Sequence, residues 1–519
     1  MLLHELYEDP LALTALALCL SVSMIFILTS RGGKQPAAGL SGIVTVPIGL
    51  PTWLGFFGGQ TLMMDPLHMV QVLEGWMKKY NRGGNLALYF LGKQAYTVTD
   101  PTMIKKILLN RPGKFIRGTS DLLQKLSNEM GLSPSLFFLE GSDWGTARRL
   151  TAPAFSAANV KLMLPSISKI SKSFVEKLKR AGPDQFDIRN DCKKYAVCVI
   201  AELGYGHDMK LFDEPPSAEG QEMFDIVIAM LTHLNMRFFE PVYRFSWYLG
   251  SILPWVRKYR AGNKKFDDLL DGFIAKEQQA TEKKEDGRGL LLRKLVAASN
   301  ATGRMKLDME GTRYNLKLYF VAGADTSSAT LSWVIHYMMA IPRVQQKLHE
   351  EAIQVLGTDS AATTHEQVEA LTYTMATVKE ALRMWGPAPF LFMESKVDFE
   401  MYGASHPSGT MFLLMLHYIC NLEENFSKPE EFAPERWLDD QRDAHFGPDS
   451  NHREECFSPF GGGARVCPGR EMAFLGEVVA ISAIAKDLKL TLPAGETTPD
   501  YINQFAFWPA DVETIVEAR

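Results

Sequence analysis

Residues 460–469 read Phe-Gly-Gly-Gly-Ala-Arg-Val-Cys-Pro-Gly, which fits the pattern F-x-x-G-x-R-x-C-x-G. Gly461, Gly463 and Gly469 surround a single cysteine, Cys467. Glycine adopts φ > 0 cheaply, so the backbone can fold tightly around the sulfur and turn N–H groups toward it. Such N–H groups lower the charge on a ligating thiolate and tune the metal behind it. Pro468 stiffens the exit from the loop. A cysteine alone is more often a small buried hydrophobe, and a glycine cluster more often a turn. The fixed spacing of the companions favours a metal-ligating thiolate.

The loop resembles the cysteine loop of the cytochrome P450 family of haem-thiolate monooxygenases. The resemblance implies a mainly α fold with a small β-sheet region, the P450 fold. It implies haem b as cofactor, Cys467 as metal ligand, and Phe460, Gly461, Gly463, Arg465 and Gly469 as cofactor-binding residues, Arg465 pairing with a haem propionate. Three further motifs follow the family's order. Glu380 and Arg383 form E-x-x-R on a segment, 372–385, whose helical periodicity stops before Gly386-Pro387. A bare E-x-x-R is usually a surface ion pair worth little. Phe432-Ala433-Pro434-Glu435-Arg436-Trp437 resembles the family's P-E-R segment, which implies a buried structural network of Glu380, Arg383 and Arg436.

Residues 308–341 read as one long helix, with Asp308 as N-cap, Glu310 in the first turn and Pro342 beyond its end. Its middle, Ala322-Gly323-Ala324-Asp325-Thr326-Ser327, resembles the segment that crosses the distal haem face in the family. By that likeness Gly323 loosens the helix, Thr326 bonds iron-bound oxygen and Asp325 relays protons, which makes Asp325 and Thr326 the catalytic pair. Otherwise the same residues merely cap or kink a helix. Trp144 and Arg148 stand at i and i+4 and, by resemblance, reach the propionates. Met393 occupies the position where the family usually carries a basic propionate partner. A second departure is Cys420-Asn421, where many members have His-Arg.

The chain has 519 residues, and length alone suggests two or three domains. The motifs run from Trp144 to Gly469 without a linker, so the resemblance implies one catalytic domain over 56–519. A net charge of −5 gives no reason to expect nucleic acid. The six cysteines, at 19, 192, 198, 420, 456 and 467, form no C-x-x-C pair and no disulfide framework. Residues 11–28 are apolar and uncharged, just long enough to span a bilayer. Acidic residues precede them and Arg31 and Lys34 follow, which predicts a single-pass anchor at 1–30 with the catalytic domain in the cytosol, as at the endoplasmic reticulum membrane. Residues 31–55 read as a Gly/Pro hinge. Residues 86–91 and 95–99 around Gly92-Lys93-Gln94 predict a hairpin, Asp100-Pro101 starts a helix, and 276–288 reads as an exposed loop. The sequons at Asn300 and Asn425 are chance matches on a cytosolic domain.

Ala322, Gly323, Phe390, Phe392, Phe505 and Phe507 fall at substrate-pocket positions by resemblance, with apolar segments at 116–138 and 238–255 nearby. They imply a lipophilic small-molecule substrate. A fatty acid or sterol fits, the stretch 144–156 favouring a fatty acid. The resemblance further implies electrons from NADPH through a partner reductase or another donor, membrane lipid as a contact, and a monomeric catalytic unit. Arg148, Arg149, Arg453, Arg465 and Arg470 offer a basic face to an acidic donor. Two other readings compete. A haem-thiolate isomerase or dehydratase acting on lipid hydroperoxides would need no reductase, and Asp325-Thr326 argues against it. A haem-based sensor or carrier would need no substrate approach.

Overall fold

The structure is a computed structural model that describes residues 44–45, 68–81, 84–90, 93–118, 127–239, 253–280, 286–299, 308–438, 453–493, 495, 500–503 and 506–519. The expected anchor, and all of the hinge except Val44 and Thr45, lie outside them. Among the described residues no helix is long and apolar enough to cross a membrane.

The chain folds as helices α1 (Met69–Asn81), α2 (Pro101–Leu109), α3 (Gly141–Thr151), α4 (Leu164–Ala181), α5 (Arg189–Tyr205), α6 (Ala218–Phe239), α7 (Pro254–Gln279), α8 (Leu290–Ser299), α9 (Met309–Ala340), α10 (Pro342–Leu356), α11 (Thr372–Trp385) and α12 (Arg470–Asp487), with shorter helical turns between them. The 32 residues of α9 fit their sequence signals: Asp308 accepts from the Gly311 N–H, and Pro342 opens the next helix. Nearly every flank of α9 is buried, as expected for a helix through the centre of a domain. Helix α5 lies along it in the most extensive helix pair described. Helix α2 begins as predicted, with the Asp100 carboxylate accepting from the Thr102 and Met103 N–H groups and Pro101 at the first turn.

The main sheet has six strands in the order β1 (Val44–Thr45), β2 (Leu86–Phe90), β3 (Lys93–Val98), β6 (Met411–Leu414), β5 (Leu391–Ser395) and β4 (Phe115–Arg117). β1 lies within the expected hinge and pairs parallel with β2. The β2–β3 register pairs Phe90 with Lys93, so the turn is shorter than Gly92-Lys93-Gln94 and two of its expected residues join the strand. The expected exposed loop at 276–288 starts later than the sequence suggests, although Ala280, Asp286 and Arg288 are exposed and outside helices. α7 continues to Gln279, and Arg288 is pinned by an ion pair to buried Glu202 at 2.6 Å.

One buried polar centre ties these layers together. Glu380 on α11 accepts from Arg383 Nε at 3.0 Å and Nη2 at 2.9 Å, from Arg436 Nε at 3.0 Å, from Trp437 Nε1 at 2.9 Å and from the Ala433 N–H at 3.0 Å. Arg383 spends further donors on the carbonyls of Cys420 and Pro429, and Arg436 on that of Lys428. All three charged side chains are at most 1% exposed. The E-x-x-R pair is therefore no surface ion pair. The Trp437 ring packs on Phe457 at 4.5 Å, three residues before the cysteine loop. Glu380→Ala leaves two buried guanidiniums without their carboxylate, a loss of about 3–5 kcal/mol. The variant is expected not to accumulate as folded protein. A soluble Glu380→Ala protein with the wild-type melting temperature would contradict this.

Candidate functional site

The cysteine loop enters from the Trp437–Phe457 contact and ends at the first turn of α12. Cys467 N–H donates to the Phe460 carbonyl at 3.0 Å, and Gly461 N–H to that of Ser458 at 2.9 Å, closing the loop on itself. Gly461 and Gly463 take φ of 71° and 64°. Gly463 is doubly required, because a Cβ there would stand 2.4 Å from the Leu108 carbonyl of α2. Gly469 differs from expectation. Its φ is −81°, open to any residue, and it serves as the cap of α12. Phe460 packs on Phe474 of that helix at 5.1 Å. Cys467 is the one exposed cysteine among the five described. Its sulfur is nonetheless lined closely by protein: burial pushes the thiol up, while the Gly469 N–H and the nearby Arg148 charge pull it down.

Across from this loop runs the middle of α9. Ala322, Gly323, Thr326 and Ser327 are partly open, while Val321, Ala324, Asp325 and Ser328 are buried. The open positions, i, i+1, i+4 and i+5, form one stripe on the helix. Buried Tyr319, one turn earlier on α9, lies within electrostatic reach of both Cys467 and Arg148. The stripe and the sulfur thus belong to one region.

Three expectations for α9 change. The helix is continuous through 322–327, with no loosened turn. Gly323 instead permits close packing, since a Cβ there would stand 3.2 Å from Ile200 of α5. The Thr326 hydroxyl donates to the Ala322 carbonyl at 2.8 Å, so its hydrogen is spent on its own helix while the oxygen stays on the open stripe. Asp325 does not meet Thr326. Its carboxylate turns to the buried flank and accepts from Trp508 Nε1 at 3.2 Å. The Lys193 ammonium lies 4.6 Å above the same indole ring. Burial raises the Asp325 carboxyl to about 6, against the downward pull of Trp508, Lys193 and the Ala506 N–H.

Trp144 and Arg148 lie one turn apart on α3. Trp144 is buried beneath the Arg465 guanidinium, 4.4 Å from its ring centre. Arg465 pairs with Glu140 and donates to the Leu139 carbonyl at 2.8 Å. Two arginines unremarked in the sequence, Arg111 and Arg117, join this group through Glu140. Of the apolar candidates, Phe392 is partly open and packs edge-on against buried Phe390 at 5.0 Å. Phe507 is a correction: it is fully buried on Tyr501, His417 and Trp385, because its strand pairs with residues 501–503. Phe505 lies outside the described residues, as does the Arg453 side chain. Arg149 is exposed, and Arg470 is exposed beside Glu471 at 3.4 Å.

The Asp325 carboxyl sets a pH dependence. Its folded pKa lies above the ordinary value of about 3.9, so the folded state holds the proton more tightly than the unfolded chain. Stability is therefore greatest when the group is protonated and falls as pH rises through about 6. A rise of roughly two pKa units corresponds to about 3 kcal/mol. Asp325→Asn keeps an oxygen for Trp508 and carries no charge. It is expected to melt higher than wild type above about pH 7 and to lose that advantage toward about pH 4. Melting curves across this range check it, and parallel curves for the two proteins would refute it.

The family model for cytochrome P450 matches residues 48–514. Pluviatolide synthase of Podophyllum peltatum is 24% identical over 537 residues, covering 99% of each chain. Cytochrome P450 27C1 of Danio rerio is 26% identical over 82% of this chain and 77% of its own. Cyclooctat-9-en-7-ol 5-monooxygenase of Streptomyces melanosporofaciens is 24% identical over 80% and 84%. The crystal structure of the cytochrome P450DA heme domain superposes with a TM-score of 0.73 at 20% identity, covering 89% of this chain and 96% of that one. With this match over most of its length, on a mostly helical fold with small sheets, the chain belongs to the cytochrome P450 family of monooxygenases.

Proposed function

We propose that this chain hydroxylates a lipophilic small molecule, a fatty acid or sterol being the favoured class. It would use haem b held by Cys467 and electrons passed from NADPH by a partner reductase. The observation that carries the reading is the pairing of the exposed cysteine of this loop with the open stripe of α9.

The residues present fit the cofactor. Cys467 is exposed, a backbone N–H faces its sulfur, and the loop's left-handed glycines hold it at the start of α12. Arg111 and Arg465 keep buried guanidinium N–H groups without hydrogen-bond partners, suited to carboxylates. When bound, haem would supply dioxygen activation at iron, with the thiolate pushing electron density that favours O–O cleavage. The chain does the rest. Phe392 and Ala322 offer apolar surface to orient a substrate. Thr326 presents an oxygen whose own hydrogen is committed to Ala322, so it can accept a hydrogen bond on the open side. Asp325 holds and releases a proton near neutral pH from the flank beside Lys193. Residues 11–28 would anchor the chain in the endoplasmic reticulum membrane, with the catalytic domain at 56–519 on the cytosolic side. Exposed Arg149 and Arg470 would suit an acidic electron donor.

The reduced carbon-monoxide complex of the wild type is expected to show the long-wavelength band of thiolate ligation, and Cys467→Ser to lose it. A Cys467→Ser protein that keeps the band would overturn the assignment. Thr326→Ala is expected to bind haem and substrate normally, yet release several-fold more peroxide per NADPH when reconstituted with a reductase. Unchanged coupling would remove Thr326 from the mechanism. Turnover of a lipid panel with no reductase present would overturn the monooxygenase reading in favour of an isomerase.

A further inference from the structure

At Cys420 the chain departs from its family, and the fold gives that cysteine a partner. Cys420 ends the short helix Leu416–Cys420, and its Sγ donates to the Cys456 carbonyl at 3.1 Å. Cys456 closes the short helix Arg453–Cys456. The two thiols lie within electrostatic reach of each other. Both are buried, in a minor core that also holds Ile419, Phe426 and Phe457. Burial pushes the Cys420 thiol up to about 12 against the pull of Arg383, and the Cys456 thiol up to about 12. Cys420 is therefore a thiol at rest and needs a base before its sulfur can attack.

A base stands one turn away. His417 lies three residues before Cys420 on the same short helix, so the two share a face. The His417 ring meets Glu74 of α1, Nδ1 to Oε1, at 2.8 Å. A carboxylate accepts, so Nδ1 carries the hydrogen and Nε2 of the neutral ring keeps its lone pair. His417 and Cys420 also line one small cavity, together with Leu382, Ser458 and Pro459. Its volume of about 10 Å³ has room for about one water-sized molecule. A sulfur, a base, a carboxylate that orients the base and a space for a small reactant thus meet in one place.

We propose that hydrogen peroxide entering this cavity converts Cys420 and Cys456 to a disulfide, with His417 as the base that activates Cys420. His417 takes the Cys420 proton as the sulfur attacks one peroxide oxygen. The O–O bond breaks, the sulfur keeps one hydroxyl as a sulfenic acid, and the leaving hydroxide recovers the proton from His417 and departs as water. The Cys456 sulfur then displaces the sulfenic hydroxyl, which leaves with the Cys456 proton as a second water while the S–S bond forms. The two thiols lose two electrons in all, and one peroxide is reduced to two waters. The Cys420 carbonyl is held by Arg383 at 2.8 Å, and Phe457, next to Cys456, packs on Trp437. The disulfide therefore ties together two segments that both lean on the Glu380 network. Peroxide from any source serves, so the site does not depend on the haem-thiolate reading.

The test is peptide mapping of the full-length holoprotein after hydrogen peroxide, with the remaining thiols alkylated. Wild type is expected to yield a cross-linked peptide pair joining Cys420 to Cys456, which dithiothreitol removes. tert-Butyl hydroperoxide is too large for the cavity and is expected to form the link several-fold more slowly. His417→Asn is expected to slow it several-fold with hydrogen peroxide, and Glu74→Gln to slow it as well. Cys456→Ala is expected to stop at a Cys420 sulfenic acid, captured by dimedone. Thiols at 420 and 456 that stay unoxidised would overturn the proposal, as would a disulfide from either one to another cysteine. A wild-type rate in His417→Asn, or equal rates with the two peroxides, would each overturn it too. If the variants fail to fold, the wild-type map with the two peroxides decides.

Discussion

Everything near the cysteine loop hangs on the Glu380 carboxylate. It is wholly buried, yet it accepts five hydrogen bonds, from two arginines, a tryptophan and a backbone amide. A charge in that position is tolerable only because nearly every lone pair is used. The arrangement converts an electrostatic requirement into a positional one. α11 cannot move relative to residues 428–437 without breaking charge-assisted bonds in a dry core. Through Trp437 on Phe457 the same restraint reaches the loop that presents Cys467.

The charged groups of the site are balanced differently. Glu380 is fully paired. Arg111 and Arg465, beside Glu140, keep buried N–H groups without hydrogen-bond partners, and Asp325 keeps one oxygen, Oδ2, without one. Unsatisfied buried groups are rare and costly in folded proteins. Asp325 and Thr326 show how the helix divides labour. Neighbours in sequence are about 100° apart on α9, so one side chain faces the Trp508 flank and the other the open stripe.

Local signals in the sequence were legible where one short segment carried the whole interaction. Asp308 as cap and Pro342 as terminator bounded α9, and Asp100-Pro101 started α2, because capping is a matter of a few neighbouring atoms. The resemblance of the chain's motifs to the family pointed to Glu380, Arg383, Arg436 and the Cys467 loop. It failed where a residue's role depends on what another segment brings to it. Gly323 looked like a hinge and is a contact for Ile200. Phe507 looked like pocket lining and is core, because its strand partner covers it. Gly469 looked like a turn glycine and has an ordinary φ.

The sequence by itself determined the central helix, through its caps and periodicity, and carried the motifs whose resemblance to the P450 family implied the mainly helical fold and the role of Cys467. Only the tertiary structure decided which way Asp325 points, which aromatic rings are buried, and that Arg111 and Arg117 join Arg465 around Glu140. Those outcomes come from strand register and from packing between segments hundreds of residues apart. Arg117 meets Met393 across 276 positions of chain, and no local pattern in either segment encodes that pairing. Charge and hydrogen-bond balance are settled only when such distant groups share one low-dielectric space.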